Sequence, residues 1–269
     1  MDPMEVLPQE LVLHICSFLP IYDLVRLWEL NHSWRKIVTD PCLWRDAVLA
    51  VEGYEESEDD DWIIGDIRDC IKVLRRAPCL GVVSFNGALK SQKLKQALLE
   101  TKTVVLRIND LFCHNTDEET DWMTSFIQSI GERLEEILVT SPSNALMNTL
   151  ISLPRLKKLE VYDGGSHCDD KPPVQSPGFF GQLKVFEDHD YTYSWTLPPN
   201  WLVTVLKMHC ATLEEISLTE NFRVLQDLVQ AGYQFKALKR LINYGFEDID
   251  ALGPLLPGVD ILYAYRRSV

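Results

Sequence analysis

The residues best suited to chemistry gather in two stretches. Ser166, His167, Cys168, Asp169 and Asp170 lie in one, and Asp188, His189 and Asp190 in the other. Thiolate, imidazole and carboxylate together suggest a metal, but zinc sites draw their ligands from short, characteristic spacings and this pattern matches none. Ser166, His167 and Asp169 are close along the chain, whereas a nucleophile, base and acid act through three-dimensional geometry. A hydrolase built on the 163–190 loops would have to bring His189 against an acid and a nucleophile. Cys113-His114 falls between elements, and His209-Cys210 ends an apolar helical pattern, where buried thiols are routine. Neither a GxGxxG nor a Walker loop is present, so nothing points to a nucleotide. The expectation is a non-catalytic chain with no metal and no cofactor.

Charge narrows the partners. The 269 residues hold 40 acidic and 26 basic side chains, a formal net charge of −14. Nucleic acid and anionic membranes require a basic footprint, so neither is expected as a partner. Apolar residues make up 46%, enough for a sizeable core in one large or two unequal domains. The seven cysteines are odd in number, scattered and free of any CxxC, which suits reduced thiols in the cytoplasm or nucleus. The opening MDPMEVLPQE is acidic and does not fit a signal peptide, and no apolar run is long enough to span a bilayer.

The elements that must position any functional residue fall into three zones. Residues 8–50 read as three or four short helices with no strand signal. Pro8 suits a helix start, Pro20 stops that helix, Asp23 is a candidate cap for the next, and Trp44, Val48 and Val51 continue the apolar pattern. The block EGYEESEDDD that follows is nearly all acid and cannot form a core, so it reads as a solvated linker, with Ser57 a candidate acid-directed phosphorylation site. The expected division is therefore 1–50, a linker at 51–65, and 66–269.

Within 66–269 a unit recurs. Leu80, Thr103, Leu134, Leu156, Leu183, Leu213, Leu238 and Val259 open successive copies 21 to 31 residues apart. Three positions on stand Val83, Leu106, Ile137, Leu159, Phe186, Ile216, Leu241 and Leu262. Each copy predicts a short strand, and helical patterns such as Leu94-Ala97-Leu98, Leu146-Met147-Leu150 and Leu225-Leu228-Val229 lie between them. Such strand–helix units cannot bury their apolar faces alone and must stack. The pattern L-x-x-L-x-L resembles the leucine-rich repeat family, although the family's Asn or Cys is present only as Asn221. The resemblance implies an α/β fold, an irregular right-handed horseshoe of parallel strands and helices. It also implies that the residues between the inward positions line a binding face: Arg107, Asn109, Leu138, Thr140, Glu160, Tyr162, Glu187, His189, Ser217, Thr219, Ile242, Tyr244, Tyr263 and Tyr265. Aromatic residues with polar tips make good interface anchors. The candidate target-binding residues are accordingly Tyr162, Glu187, His189, Tyr244, Tyr263 and Tyr265, joined by Tyr191, Tyr193 and Trp195 from the long loop at 187–199.

The first zone poses a problem of its own. As a helix, LPQELVLHICSFLP places Pro8, Leu11, Val12, Ile15, Cys16, Phe18 and Leu19 on one broad flank, wider than a surface helix needs to meet its own core. Read through to Trp44, the segment resembles an F-box. The matching positions are Leu7, Pro8, Glu10, Leu11, Ile15, Phe18, Leu19, Asp23, Leu24, Leu27, Trp34, Arg35, Leu43 and Trp44. The resemblance implies docking on a Skp-family adaptor, and through it on a cullin scaffold, using Leu7, Pro8, Leu11, Ile15, Phe18, Leu19, Leu24, Leu27, Trp34, Leu43 and Trp44. A segment this small cannot bury so much apolar surface by itself. Leu11 and Ile15 are thus expected to be partly exposed in the isolated chain. Together the two resemblances imply a receptor that brings an unidentified protein substrate to a ubiquitin ligase. An adaptor-bound scaffold that delivers nothing to ubiquitin would share every one of these features.

Overall fold

The computed structural model describes residues 7–52, 67–86, 89, 91–101, 104–112, 117–163, 182–189, 196–244 and 250–264. The chain divides into two compact units, residues 1–109 and 110–269. The acidic stretch, including Ser57, lies outside the described residues, as do Tyr191, Tyr193, Trp195 and Tyr265. The division between units falls inside a strand, Val104–Phe112, well past the expected linker.

The first unit opens with three short helices, α1 (Gln9–Cys16), α2 (Ile21–Leu30) and α3 (His32–Val38), and a 3-10 turn at Pro41–Leu43. Local chemistry sets their ends. Pro8 and Pro20 precede α1 and α2 in extended conformation, where a missing N–H costs nothing. Asp23 is not a cap; it sits in the first turn of α2, where a carboxylate suits the helix dipole, and pairs with Arg26 at 2.9 Å. The Asn31 side chain caps α3 by accepting from the Trp34 amide at 3.0 Å. Val12, Cys16, Leu24, Val25, Ile37, Val38, Leu43 and Trp44 are buried, and the Trp44 indole donates to the Val38 carbonyl.

The helical reading of this zone fails at its end. Val48–Glu52 forms β1, a strand parallel to β2 (Cys79–Asn86). Leu49 and Val51 point inward with period two, in register with Val83 and Phe85, and all four are buried. Trp44 and Ala47 accept from the amides of Gly81 and Val82 at 3.0 and 3.1 Å. The first helices are further tied to α4 (Ile67–Arg76): Arg76 pairs with Glu29 at 2.7 Å, and the Tyr22 hydroxyl lies 3.4 Å from Cys70 Sγ. Residues 7–52 therefore share one core with the first strand–helix units. After α5 (Gln92–Glu100), whose first turn is capped by Ser91, β3 (Val104–Phe112) pairs with β2. The register aligns Val83 with Ile108 and Leu80 with Val105, two residues beyond the expected match of Leu80 to Thr103.

The second unit alternates helix and strand: α6 (Asp117–Ile130), β4 (Glu136–Thr140), α7 (Asn144–Ile151), β5 (Lys158–Tyr162), β6 (Val185–His189), α8 (Pro199–His209), β7 (Glu215–Leu218), α9 (Phe222–Gln230), β8 (Arg240–Asn243) and β9 (Asp260–Tyr263). Strands β4 to β9 pair in chain order and in parallel. The entries to β5, β6, β7 and β8 repeat one device: the carbonyls of Glu135, Lys157, Lys184 and Glu214 each accept from two successive amides of the segment leading into the next strand. Ile137, Leu159, Phe186, Ile216 and Leu241 line up across the sheet and are at most 2% exposed. Ser143 caps α7 through the Leu146 amide, and Gly232, at φ 93°, ends α9 in the left-handed conformation.

The register corrects the last copy by one residue. Leu241 aligns with Ile261, so Leu262 falls on the other face, and Tyr263 shares the side of buried Asn243. Because side chains alternate, this slip exchanges the faces of the whole strand. Among the described residues no helix is long and apolar enough to cross a membrane.

Candidate interaction faces

The first face belongs to α1. Its inner side, Val12 and Cys16, is buried against the unit, while its outer side is apolar too. Leu7 is 36% exposed, Leu11 49%, Ile15 53% and Phe18 74%. The spacing of Leu11, Ile15 and Phe18 places them on one stripe of the helix and the turn after it. The Phe18 and His14 rings meet edge-to-face, 5.0 Å between centroids, and the Ser17 hydroxyl closes the turn onto the His14 carbonyl. Pro8 is exposed, and Leu19, Leu27 and Trp34 are half-buried.

Three of the expected docking residues lie elsewhere. Leu24, Leu43 and Trp44 are inside the unit, Trp44 wholly so. They fix the packing of α2 and β1 under the face and present no surface of their own. Leu30, which the sequence reading did not select, is 63% exposed at the end of α2. The signal for it was present, since it is a leucine just before the Asn31 cap of the next helix.

The second face is the polar side of the sheet in the second unit, opposite buried Leu159 and Val161. Alternation and register place Lys158, Glu160 and Tyr162 of β5 beside Val185, Glu187 and His189 of β6. Glu187 faces Ser217 of β7, which in turn faces Ile242 of β8. Lys158 Nζ lies 2.6 Å from Glu160 Oε1 and 3.0 Å from Glu187 Oε1. His189 Nε2 lies 2.9 Å from Glu187 Oε2. The His189 ring sits between two tyrosines, 4.9 Å from Tyr162 and, edge-on, 4.7 Å from Tyr244.

Electrostatics at this cluster run against burial. Burial alone would push the Glu187 carboxyl up, but hydrogen bonds from His189 and Lys158 outweigh it and hold the group below the usual glutamate range. For Lys158, burial favours the neutral amine, yet its bonds to Glu160 and Glu187 prevail and raise it above the usual lysine value. The Tyr244 phenol is raised, first by burial and then by the glutamates around it.

Of the expected target-binding residues, the structure brings together Tyr162, Glu187, His189 and Tyr244. It sets Tyr263 apart, because the one-residue slip in β9 turns it to the other side. Lys158 escaped the sequence reading, although it stands two residues before Glu160 and hence on the same face. His189 does meet an acid here, but the Ser217 hydroxyl on the next strand is not hydrogen-bonded to it, so these residues form no nucleophile–base pair. Among the described residues no cluster of three or more His, Cys, Asp or Glu could hold a metal.

No curated protein matches the chain. Residues 4–50 match the F-box-like family, a span that contains α1, α2, α3, the 3-10 turn and the start of β1, so the exposed stripe on α1 belongs to an F-box-like domain.

Proposed function

We propose that this chain is the substrate-recognition subunit of a Skp–cullin–F-box ubiquitin ligase, working in the cytoplasm or nucleus. F-box domains bind Skp-type adaptors, and the single observation that carries the reading is the apolar stripe Leu7, Leu11, Ile15 and Phe18 left on the outside of α1. Covering each large apolar side chain is worth about 1.5–3 kcal/mol, so a partner surface gains several kcal/mol by docking there. In this reading the strand–helix units act as leucine-rich repeats, and their polar sheet face holds the target protein. The mechanism is proximity: the adaptor and cullin hold charged ubiquitin near the target's lysines and raise their effective concentration.

The test is the double substitution Leu11→Asp, Ile15→Asp in the full chain. Both side chains are about half exposed, so the fold is retained while two charges enter the stripe. The adaptor is expected to disappear from the purified complex with an unchanged melting temperature. Full adaptor recovery with this variant would refute the reading. Delivery to ubiquitin is checked separately, by the half-life of bound proteins with and without the chain.

A further inference from the structure

We infer that the polar sheet face over β5 to β8 takes an arginine or lysine side chain from an extended basic segment of the target, which rests on the proposed target-binding role of that face. Two carboxylates, Glu160 and Glu187, converge on the single ammonium of Lys158. Among the described residues the two carboxylates share this one ammonium, and the His189 ring nitrogen adds a hydrogen bond to Glu187. Further along the face Glu215 and Arg240 pair with each other and cancel. An anionic ligand such as a phosphopeptide would meet the two carboxylates of Glu160 and Glu187, whereas a cation meets charge of the opposite sign. The net charge of −14 adds long-range attraction for a basic partner.

Ser217 points to a ligand independently of these charges. It is fully buried, stands in register beside Glu187 on the same face, and its Oγ has no hydrogen-bond partner among the described residues. Buried hydroxyls are ordinarily paired, since leaving one unmade costs about 1–3 kcal/mol. A guanidinium, with its fork of donors, can bond a carboxylate and a neighbouring hydroxyl at once. The rings of Tyr162 and Tyr244 pack against His189, which is hydrogen-bonded to Glu187, so aromatic groups on which a planar cation can stack stand next to the carboxylates. Lys158 already shows that the carboxylate pair seats a cation, and it is the internal competitor that a target's arginine would meet.

The probe is a fluorescein-labelled Gly-Ser peptide with arginine at alternate positions, compared with the same peptide carrying citrulline, which keeps the shape and loses the charge. Binding to the full chain is read by fluorescence anisotropy at low and high salt. The arginine peptide is expected to bind at least about tenfold tighter than the citrulline peptide, with the difference shrinking in salt. Glu160→Gln should weaken the arginine peptide about tenfold. Lys158→Gln should tighten it several-fold, and Lys184→Gln, which removes the same charge from its pair with Glu214, should not. Melting temperatures establish that each variant is folded, and Ser217→Ala offers a milder change at the same spot. Equal binding of the two peptides, or no effect of folded Glu160→Gln, overturns the inference. Loss of adaptor binding failing to occur in the Leu11→Asp, Ile15→Asp protein, with arginine preference intact, removes the ligase reading and leaves this site standing. Adaptor binding as expected without arginine preference removes this site alone.

Discussion

At Gly81 the backbone of β2 approaches that of residues 44–46, and replacing it tests whether the F-box-like residues and β2 form one core. A Cβ built at Gly81 would lie 2.0 Å from the carbonyl oxygen of Arg45 and 2.7 Å from its carbon. Both are backbone atoms, so no side chain can swing away, and β2 must move relative to residues 44–47. That movement strains the amide bonds from Gly81 to Trp44 and from Val82 to Ala47. Overpacking of this kind costs about 1–3 kcal/mol, and each weakened hydrogen bond up to about 1 kcal/mol more. Restricting the unfolded chain returns about 0.4–1 kcal/mol. The net expectation for Gly81→Ala is a loss of about 2–4 kcal/mol, read as a fall in the urea midpoint of roughly 1–2 M. Gly232→Ala is the control: nothing lies within 4 Å of its Cβ, so only the positive φ is penalised, at about 1–2 kcal/mol. Tryptophan fluorescence follows the transition, with buried Trp44 adjoining the clash. A Gly81→Ala protein within about 0.5 kcal/mol of wild type would refute the shared core and return residues 7–52 to the status of a tethered module.

The two kinds of F-box residue should part company on mutation. Trp44→Ala empties a fully buried site and leaves the Val38 carbonyl without its donor, so it should cost about 3–5 kcal/mol in calorimetry, whereas Phe18→Ser, at a side chain 74% exposed, should leave the melting temperature of the isolated chain unchanged and weaken adaptor affinity. The Lys158–Glu187 interaction has a defined pH window. Glu187 sits below its unfolded value of 4.5, so its contribution is present above that value and lost as pH falls through the folded one. Lys158 is raised above 10.5, so its contribution is present below that value and lost only in strong alkali. The stability difference between wild type and Glu187→Gln should therefore be present above pH 4.5 and shrink as the pH falls below it, and a difference that stays undiminished in strong acid would contradict the pairing. Disrupting the exposed Lys184–Glu214–Lys239 group by Glu214→Gln should change the urea midpoint little in physiological salt, because such pairs are solvent-screened.

Much of the molecule was legible in its residue pattern. The inward leucines from Leu134 to Leu238 follow from a periodicity that a short window contains, and they are buried. The F-box-like stripe was visible because an amphipathic helix that is apolar on too many sides declares an unmet partner. Other features depended on atoms far apart in sequence. Val48–Glu52 is too short to betray its period, and only pairing with Cys79–Asn86 makes it a strand. The shifts at Ile108 and Ile261 were invisible because neighbouring apolar residues offer equally good matches until the ladder of hydrogen bonds fixes the register. Leu24, Leu43 and Trp44 match the family pattern as well as Leu11 and Phe18 do, yet burial alone separates the residues that hold the face from those that form it.

The sequence by itself thus determined the local elements, the acidic balance and the excess apolar stripe, since each follows from composition and short-range spacing. Tertiary structure alone decided that β1 joins the F-box-like residues to β2, and that Lys158, Glu187, His189 and Tyr244 meet although they come from β5, β6 and the residue after β8. The physical reason is register. A parallel sheet sets residues dozens of positions apart side by side, and a slip of one position reverses which side chains meet.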